Sequence, residues 1–154
     1  MLPFVRTVRE LSEVKKIIAA AGLSRSSSFK LWLMVEIPSN VLLLEEFVAV
    51  GIDGVSIGSN DLTMLTLGVD RDNEELAGVY DARNPAVLKL IEMTITKANA
   101  LGISSSICGQ APSLYPDLTQ KLVEWGITSV SVSPDMIDHT REIIYQSEKK
   151  KVRK

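Results

Sequence analysis

The chain has 154 residues, of which 45% are apolar and 23% are charged, a composition typical of a globular protein with one domain. A net charge of −2 gives no reason to expect nucleic acid or an acidic membrane surface as a partner. No stretch contains the roughly 18 consecutive apolar residues that a membrane helix needs. The single cysteine, Cys108, excludes an internal disulfide and indicates a reducing, cytoplasmic location.

Short apolar segments alternate with longer helical patterns along the chain. Five strands are predicted, over residues 2–6, 31–35, 54–57, 103–107 and 129–132. Helices are predicted over residues 7–21, 41–50, 85–101 and 117–124, and a last helix begins at residue 133. A polar loop is expected over residues 24–28, and a long connection over residues 67–84.

Local capping signals mark the starts of several helices. Thr7 followed by Glu10 forms the pattern of a capping box. Ser39 or Asn40 is expected to cap the second helix. Pro85 suits the first turn of the third helix, where its missing N–H is not needed.

The strand segments are mainly apolar rather than alternating, which indicates parallel strands buried on both faces. A β/α unit repeated five times suits either an open doubly wound sheet or a (β/α)8 barrel. A complete barrel takes about 250 residues. Five units in this chain therefore predict an α/β fold that corresponds to the second half of a TIM barrel.

Chemically capable side chains fall just after three of the predicted strands. Glu36 follows the second strand, Asn60 and Asp61 follow the third, and Cys108 follows the fourth. In parallel β/α folds the carboxyl ends of the strands carry the active site. Each residue also has an ordinary structural explanation: an ion pair for Glu36, a helix N-cap for Asp61, a turn for Gly58 and Asn60, and burial for Cys108. The residues taken singly leave both interpretations open.

Three longer motifs carry more information than the single residues. They are MVEIPS at residues 34–39, IGSNDLT at 57–63 with its continuation LTLGVDRD at 65–72, and ICGQAPS at 107–113. In order and spacing they resemble the phosphoenolpyruvate (PEP)-utilising enzymes, a family of PEP synthases, pyruvate phosphate dikinases and enzyme I of the sugar phosphotransferase system. The Gly-Gln pair at 109–110 and YDARNP at 80–85 are similar to the PEP synthase branch.

This resemblance implies a fold and a set of site residues. The family domain is a C-terminal PEP-binding (β/α)8 barrel, of which this chain would supply strands four to eight. Glu36 and Asp61 would be the two ligands of Mg²⁺, a cation that prefers carboxylate and substrate oxygens. Cys108 would donate or accept the proton at the methylene carbon of the substrate. The residues expected around PEP or pyruvate are Glu36, Gly58, Ser59, Asn60 and Asp61.

The resemblance also implies a reaction that needs more than this chain. PEP synthases convert ATP, pyruvate and water to AMP, PEP and phosphate, using upstream ATP-binding and phosphohistidine domains. The substrate-binding arginines of the family lie on earlier barrel strands, so Arg6 and Arg71 do not correspond to them. His139 does not correspond to the phosphorylated histidine. Met64 departs from the family, whose members commonly carry glutamine there.

Three functional interpretations follow. The first is the PEP-binding part of a PEP synthase, over residues 1–148 with a basic tail at 149–154, inactive alone. The second is an oligomerisation or structural module, because a half barrel leaves open sheet edges and exposed apolar surface; a homo-oligomer is expected in either case. The third is a small flavodoxin-like protein, which a chain that starts directly in a strand makes less favourable.

Overall fold

The sheet lies at the centre of the molecule and is entirely parallel. The computed structural model describes residues 1–70, 72–76 and 78–152. Its four strands are β1 (Trp32–Val35), β2 (Gly54–Gly58), β3 (Ser104–Cys108) and β4 (Ser129–Val130). They pair in the order β1-β2-β3-β4, so each strand lies beside the next one in the sequence. This topology confirms the predicted class, a parallel β/α fold that forms part of a TIM barrel.

Helices connect and flank the strands. They are α1 (Val8–Ala20), α2 (Pro38–Leu42), α3 (Leu44–Gly51), α4 (Ser59–Leu67), α5 (Pro85–Ala100), α6 (Ala111–Leu114), α7 (Pro116–Trp125) and α8 (Ile137–Val152). Two short 3₁₀ helices occupy Glu74–Leu76 and Pro134–Met136. The helix α4 begins directly after β2, where the sequence predicted a turn, and it ends at Leu67, where the long connection was predicted to begin. None of the helices in the described ranges is long and apolar enough to cross a membrane.

The first predicted strand, over residues 2–6, is wrong beyond its start. Leu2 alone bridges to β1, donating to the Trp32 carbonyl at 2.8 Å and accepting from the Met34 N–H at 2.9 Å. Pro3 has no N–H with which to continue the ladder. Phe4 then adopts a left-handed φ of 51°, which turns the chain away from the sheet edge.

Two of the three capping predictions are confirmed. Thr7 and Glu10 form the capping box of α1, and Pro85 lies at the start of α5 behind the N-cap Asn84. The prediction of Ser39 or Asn40 as an N-cap is wrong, because the helix begins earlier, at Pro38. The Asn40 side chain instead reaches back to the backbone before that helix.

The two faces of the sheet differ in burial. The outer face packs against the helices through fully buried apolar residues: Leu33, Val35, Val55, Ile57 and Ile107. By strand alternation and register, the inner face carries Trp32, Met34, Ser56, Ser106 and Cys108. Trp32, Met34 and Cys108 are only half-buried, so the prediction of strands buried on both faces holds for β2 alone.

The inner face lines an open cavity. Its volume is about 390 Å³, and its lining includes Trp32, Ser56, Ser106 and Cys108. At the other end of the chain, α8 continues to Val152, into the predicted basic tail. Residues 153 and 154 of that tail, like Arg71 and Ala77 in the long connection, lie outside the described residues.

Candidate functional site at the carboxyl edge of the sheet

The strand register brings three of the predicted site residues to one edge of the sheet. Val35 pairs with Ile57, so Glu36 follows β1 beside Gly58 at the end of β2. Gly58 in turn pairs with Cys108 at the end of β3. The carboxyl ends of three neighbouring strands therefore place an acidic residue, a glycine and a thiol in adjacent positions.

Glu36 is a buried carboxylate that accepts a hydrogen bond from the segment before α1. The residue is 5% exposed, and its Oε2 accepts from the Phe4 N–H at 2.9 Å. Burial raises the pKa of Glu36, the Phe4 hydrogen bond opposes that rise, and the negative charge of Asp61 adds to it. No lysine or arginine in the described part of the chain forms an ion pair with Glu36. Two carboxylates thus interact repulsively, and no ion pair among the described residues explains Glu36.

Gly58 is a glycine because Glu36 lies over it. A Cβ built on Gly58 would lie 2.7 Å from Cγ of Glu36 and 3.3 Å from its Oε1. It would also lie 3.3 Å from Sδ of Met34. The absent side chain allows the Glu36 carboxylate to cross the end of the neighbouring strand.

The next three residues form the first turn of α4. Gly58 is the N-cap residue of this helix, so Asp61 is not the N-cap and lies inside the first turn. Asp61 is half-buried. Ser59 is fully buried, and its hydroxyl donates to the Cys108 carbonyl at 2.8 Å. This bond joins the start of α4 to the end of β3.

Asn60 is held from two sides. Its Oδ1 accepts from the Gln110 N–H at 3.4 Å, and its backbone carbonyl accepts from the Tyr80 hydroxyl at 3.5 Å. Tyr80 belongs to the long connection before α5. The loop after β3 and this connection therefore both contact the first turn of α4.

Cys108 faces the inner cavity and is half-buried. Its Sγ accepts from the Ser56 hydroxyl at 3.6 Å and can donate to the Ile57 carbonyl at 3.5 Å. Sδ of Met34 lies 3.7 Å from the same sulfur. A half-buried thiol on an open cavity does not fit the interpretation of Cys108 as a packed core residue.

Gly109 sets the direction of the chain after Cys108. Its φ is 94°, a conformation that favours glycine. A Cβ there would collide with Oγ of Ser59 and lie 3.2 Å from Oδ1 of Asn60. The loop after β3 thus packs directly on the start of α4 only because residue 109 has no side chain.

Sequence reasoning missed several residues that contact the predicted site. Phe4 donates a hydrogen bond to Glu36, and Ser56 donates one to Cys108. No local sequence pattern indicates either contact. Asn40 could be recognised as unusual, since it is a polar residue in an apolar helical pattern, but the prediction that it is an N-cap was wrong. Arg6 pairs with Glu10 at 3.6 Å, and His139 is exposed on α8.

Fold and site together define a parallel β/α domain with two carboxylates and a thiol at the carboxyl edge of its sheet. The family model described as "PEP-utilising enzyme, PEP-binding domain" matches residues 1–149. The chain therefore belongs to the PEP-binding domain family of the PEP-utilising enzymes.

Curated relatives agree with this assignment. The chain is 52% identical over 152 residues to the phosphoenolpyruvate synthase of Aeropyrum pernix. The aligned region covers 97% of this chain and 18% of that protein. It is 53% identical over 152 residues to the probable phosphoenolpyruvate synthase of Staphylothermus marinus, with the same coverage. A 51% identical relative from Pseudomonas aeruginosa is also named phosphoenolpyruvate synthase. The chain spans less than a fifth of the length of these relatives.

Solved structures show the same fold at low sequence identity. A pyruvate kinase from Cryptosporidium parvum matches with a TM-score of 0.70 and 16% identity, covering 95% of this chain and 30% of that one. The protein CitE from Mycobacterium tuberculosis, in complex with magnesium and acetate, matches with a TM-score of 0.61 and 18% identity, covering 94% and 56%. These matches confirm the β/α architecture.

Proposed function

We propose that this chain is the magnesium- and PEP-binding domain of a PEP synthase. The complete enzyme would convert ATP, pyruvate and water to AMP, PEP and phosphate. Membership of the PEP-binding family and relatives named phosphoenolpyruvate synthase support this proposal. The upstream ATP-binding and phosphohistidine domains would be its partners, so we expect residues 1–148 alone not to complete the reaction. A cytoplasmic location accords with the single free cysteine.

The observation that carries the proposal is the acidic pair of Glu36 and Asp61. A buried carboxylate is costly unless it is paired or binds a metal. Among the described residues, Glu36 has no lysine or arginine as an ion-pair partner, and the negative charge of Asp61 acts on it instead. Two carboxylates fit Mg²⁺, which is commonly bound by one or two carboxylates and substrate oxygens. When bound, Mg²⁺ would stabilise the negative charge of the substrate oxygens.

The first turn of α4 would bind the substrate. Gly58 and Ser59 present backbone at a helix N-terminus, an environment that favours anionic groups. Oδ1 of Asn60 already accepts from Gln110, so we assign the NH₂ end of that amide as the donor to the substrate. PEP and pyruvate are small anions, and both suit this arrangement of donors beside the acidic pair.

Cys108 would move the proton. Pyruvate must lose a methyl proton to reach the enol oxidation level of PEP, and the reverse direction returns a proton to the methylene carbon. Sγ of Cys108 faces the inner cavity and is held there by the Ser56 hydroxyl. A thiol is a suitable general acid or base near neutral pH.

Titration calorimetry tests this function on the 154-residue chain. PEP is added with and without Mg²⁺ to the wild type and to Glu36→Gln and Asp61→Asn. The control is Glu13→Gln, which removes one negative charge from an exposed ion pair with Arg9 on α1. We expect magnesium-dependent heat in the wild type and the control, and none in the two site variants. Absence of such heat in the wild type at millimolar PEP, or its survival in both site variants, would overturn the proposal.

A second candidate function is self-association without ligand binding. It is favoured by the half-buried inner face of the sheet, where Trp32 and Met34 lie beside a cavity of about 390 Å³. Exposed apolar surface of this kind is typical of association sites. Sedimentation velocity of the wild type decides this point: a discrete oligomer together with silent calorimetry would favour this candidate over the first.

A further inference from the structure

Asn40 joins two segments that both contact the candidate site. The residue is fully buried. Its Oδ1 accepts from the backbone N–H groups of Glu36 and Ile37, at 3.4 and 3.2 Å. Its Nδ2 donates to the Val5 carbonyl at 2.7 Å. Because the partners are donors on one side and an acceptor on the other, they define the orientation of the amide.

The segment on the far side of Asn40 contacts the Glu36 carboxylate itself. Phe4 precedes Val5, and its N–H donates to Oε2 of Glu36. Phe4 has a φ of 51° and is the one non-glycine residue with positive φ among those described. Such a conformation persists only where the surrounding contacts hold it. The two segments are therefore joined twice, once through the Asn40 amide and once through the Glu36 carboxylate.

We propose that Asn40 is a positioning residue for the Glu36 carboxylate. It fixes the backbone from which the Glu36 side chain starts, and it fixes Val5 so that the Phe4 N–H meets Oε2. With Oε2 held, Oε1 lies above Gly58, where a Cβ would be 3.3 Å away. The inference rests on the proposed function in one respect: the carboxylate so positioned is the one assigned to Mg²⁺.

The chemistry of the position selects asparagine. Aspartate could accept from the two N–H groups, but its second oxygen would face the Val5 carbonyl without a proton to donate. It would also add a third negative charge near Glu36 and Asp61. Alanine would remove the side-chain partner of three backbone groups, two of which belong to the buried residues Val5 and Glu36, and unsatisfied buried groups are costly.

Amide hydrogen exchange followed by NMR tests the proposal without any ligand. The variant is Asn40→Ala. The matched control is Asn99→Ala, because Asn99 also joins two segments, donating from Nδ2 to the Trp125 and Gly126 carbonyls at 3.2 and 3.1 Å. We expect the Phe4 amide to exchange about tenfold faster in Asn40→Ala relative to the β2 amides, and to be unchanged in the control.

A second variant separates positioning from general destabilisation. Asn40→Asp should keep the Glu36 and Ile37 amides protected and lose the protection of Phe4. A merely destabilising substitution would change all three together. If Asn40→Ala does not fold, hydrogen exchange in the wild type still tests the proposal. The Phe4 amide and the Asn40 side-chain NH₂ should then exchange with one common opening free energy. The proposal would be overturned by unequal opening free energies for the Phe4 amide and the Asn40 NH₂ group. It would also be overturned if the exchange rate of the Phe4 amide were the same in both variants as in the wild type.

Magnesium-dependent binding of PEP gives the link to function. We expect the apparent affinity to fall about tenfold in Asn40→Ala and to stay unchanged in Asn99→Ala. A wild type without any magnesium-dependent heat would overturn the proposed function, whereas the exchange data would still decide whether Asn40 holds Glu36. Normal affinity in an Asn40→Ala chain whose Phe4 amide has lost protection would show that the positioning is not needed for binding, and would overturn that part of the inference.

Discussion

Arg25 donates two hydrogen bonds to Asp53, from Nε to Oδ2 at 3.0 Å and from Nη2 to Oδ1 at 2.7 Å. Oδ2 also accepts from the Leu31 N–H at 2.7 Å, just before β1. Asp53 itself lies just before β2, so this contact ties together the amino ends of two neighbouring strands. Chiefly because of the Arg25 hydrogen bond, the pKa of Asp53 is lowered from 3.8 to about 2.

This pKa shift predicts a pH-dependent contribution to stability. A carboxylate with a lowered pKa stabilises the fold above its unfolded pKa of 3.8 and loses that contribution as the pH falls towards about 2. Asp53→Asn should therefore lower the free energy of unfolding at pH 7 by about 1–2 kcal/mol, allowing for solvent screening of the partly exposed Arg25. Urea unfolding at a series of pH values measures the difference.

The difference between wild type and Asp53→Asn should shrink below the unfolded pKa. The control is Asp138→Asn, which removes an exposed carboxylate from the start of α8 and should change stability little. A constant difference between Asp53→Asn and wild type at all pH values would contradict the prediction.

Gly109→Ala should destabilise the chain by about 2–3 kcal/mol, because it adds both backbone strain and a steric clash. The φ of 94° is unfavourable for alanine, and the new Cβ would collide with Oγ of Ser59. Gly102→Ala is the matched control, since Gly102 has a φ of 69° and, apart from its chain neighbours, no described residue lies within 4 Å of the position that its Cβ would take. It should cost only about 1 kcal/mol. Equal losses in urea unfolding would mean that the contact with Ser59 adds nothing.

Gly58→Ala should displace Glu36 without straining the backbone. The φ of Gly58 is −81°, which alanine adopts readily, but the Cβ would lie 2.7 Å from Cγ of Glu36. We expect magnesium-dependent PEP binding to weaken at least about tenfold, as when a metal ligand is misplaced. Gly78→Ala should bind as the wild type does in calorimetry, because no described residue beyond its chain neighbours lies within 4 Å of the new Cβ. Unchanged binding by Gly58→Ala would contradict the assignment of Glu36 as a magnesium ligand.

Alkylation of Cys108 should report on occupancy of the site. Cys108 is the single cysteine of the sequence, so the rate of modification by iodoacetamide belongs to it alone. Magnesium and PEP together should slow the reaction about tenfold, because the ligand would cover a thiol that faces the open cavity. Mass spectrometry over time measures the rate. Glu36→Gln should lose the protection and Glu13→Gln should retain it; protection by PEP without magnesium would contradict the proposed site.

Features that depend on neighbouring residues in the sequence could be predicted from it. The capping box of Thr7 and Glu10 and the proline start of α5 follow from local hydrogen bonding and fixed backbone angles. The parallel β/α class follows from apolar segments alternating with helices. The position of Glu36, Asp61 and Cys108 after successive strands also follows, because parallel strands present their carboxyl ends at one edge.

Other features were decided only by the tertiary structure. Phe4 adopts a left-handed backbone because its N–H meets Glu36, 32 residues away, and nothing in its local sequence favours that conformation. Asn40 was predicted as a cap, yet it binds the Val5 carbonyl, 35 residues away. Hydrogen bonds between distant segments outweigh local propensity at such positions, and they form only once β1 and the segment before α1 lie side by side. The sequence by itself therefore determined the fold class and the edge that carries the candidate site, whereas long-range hydrogen bonds decided how Glu36 is held there.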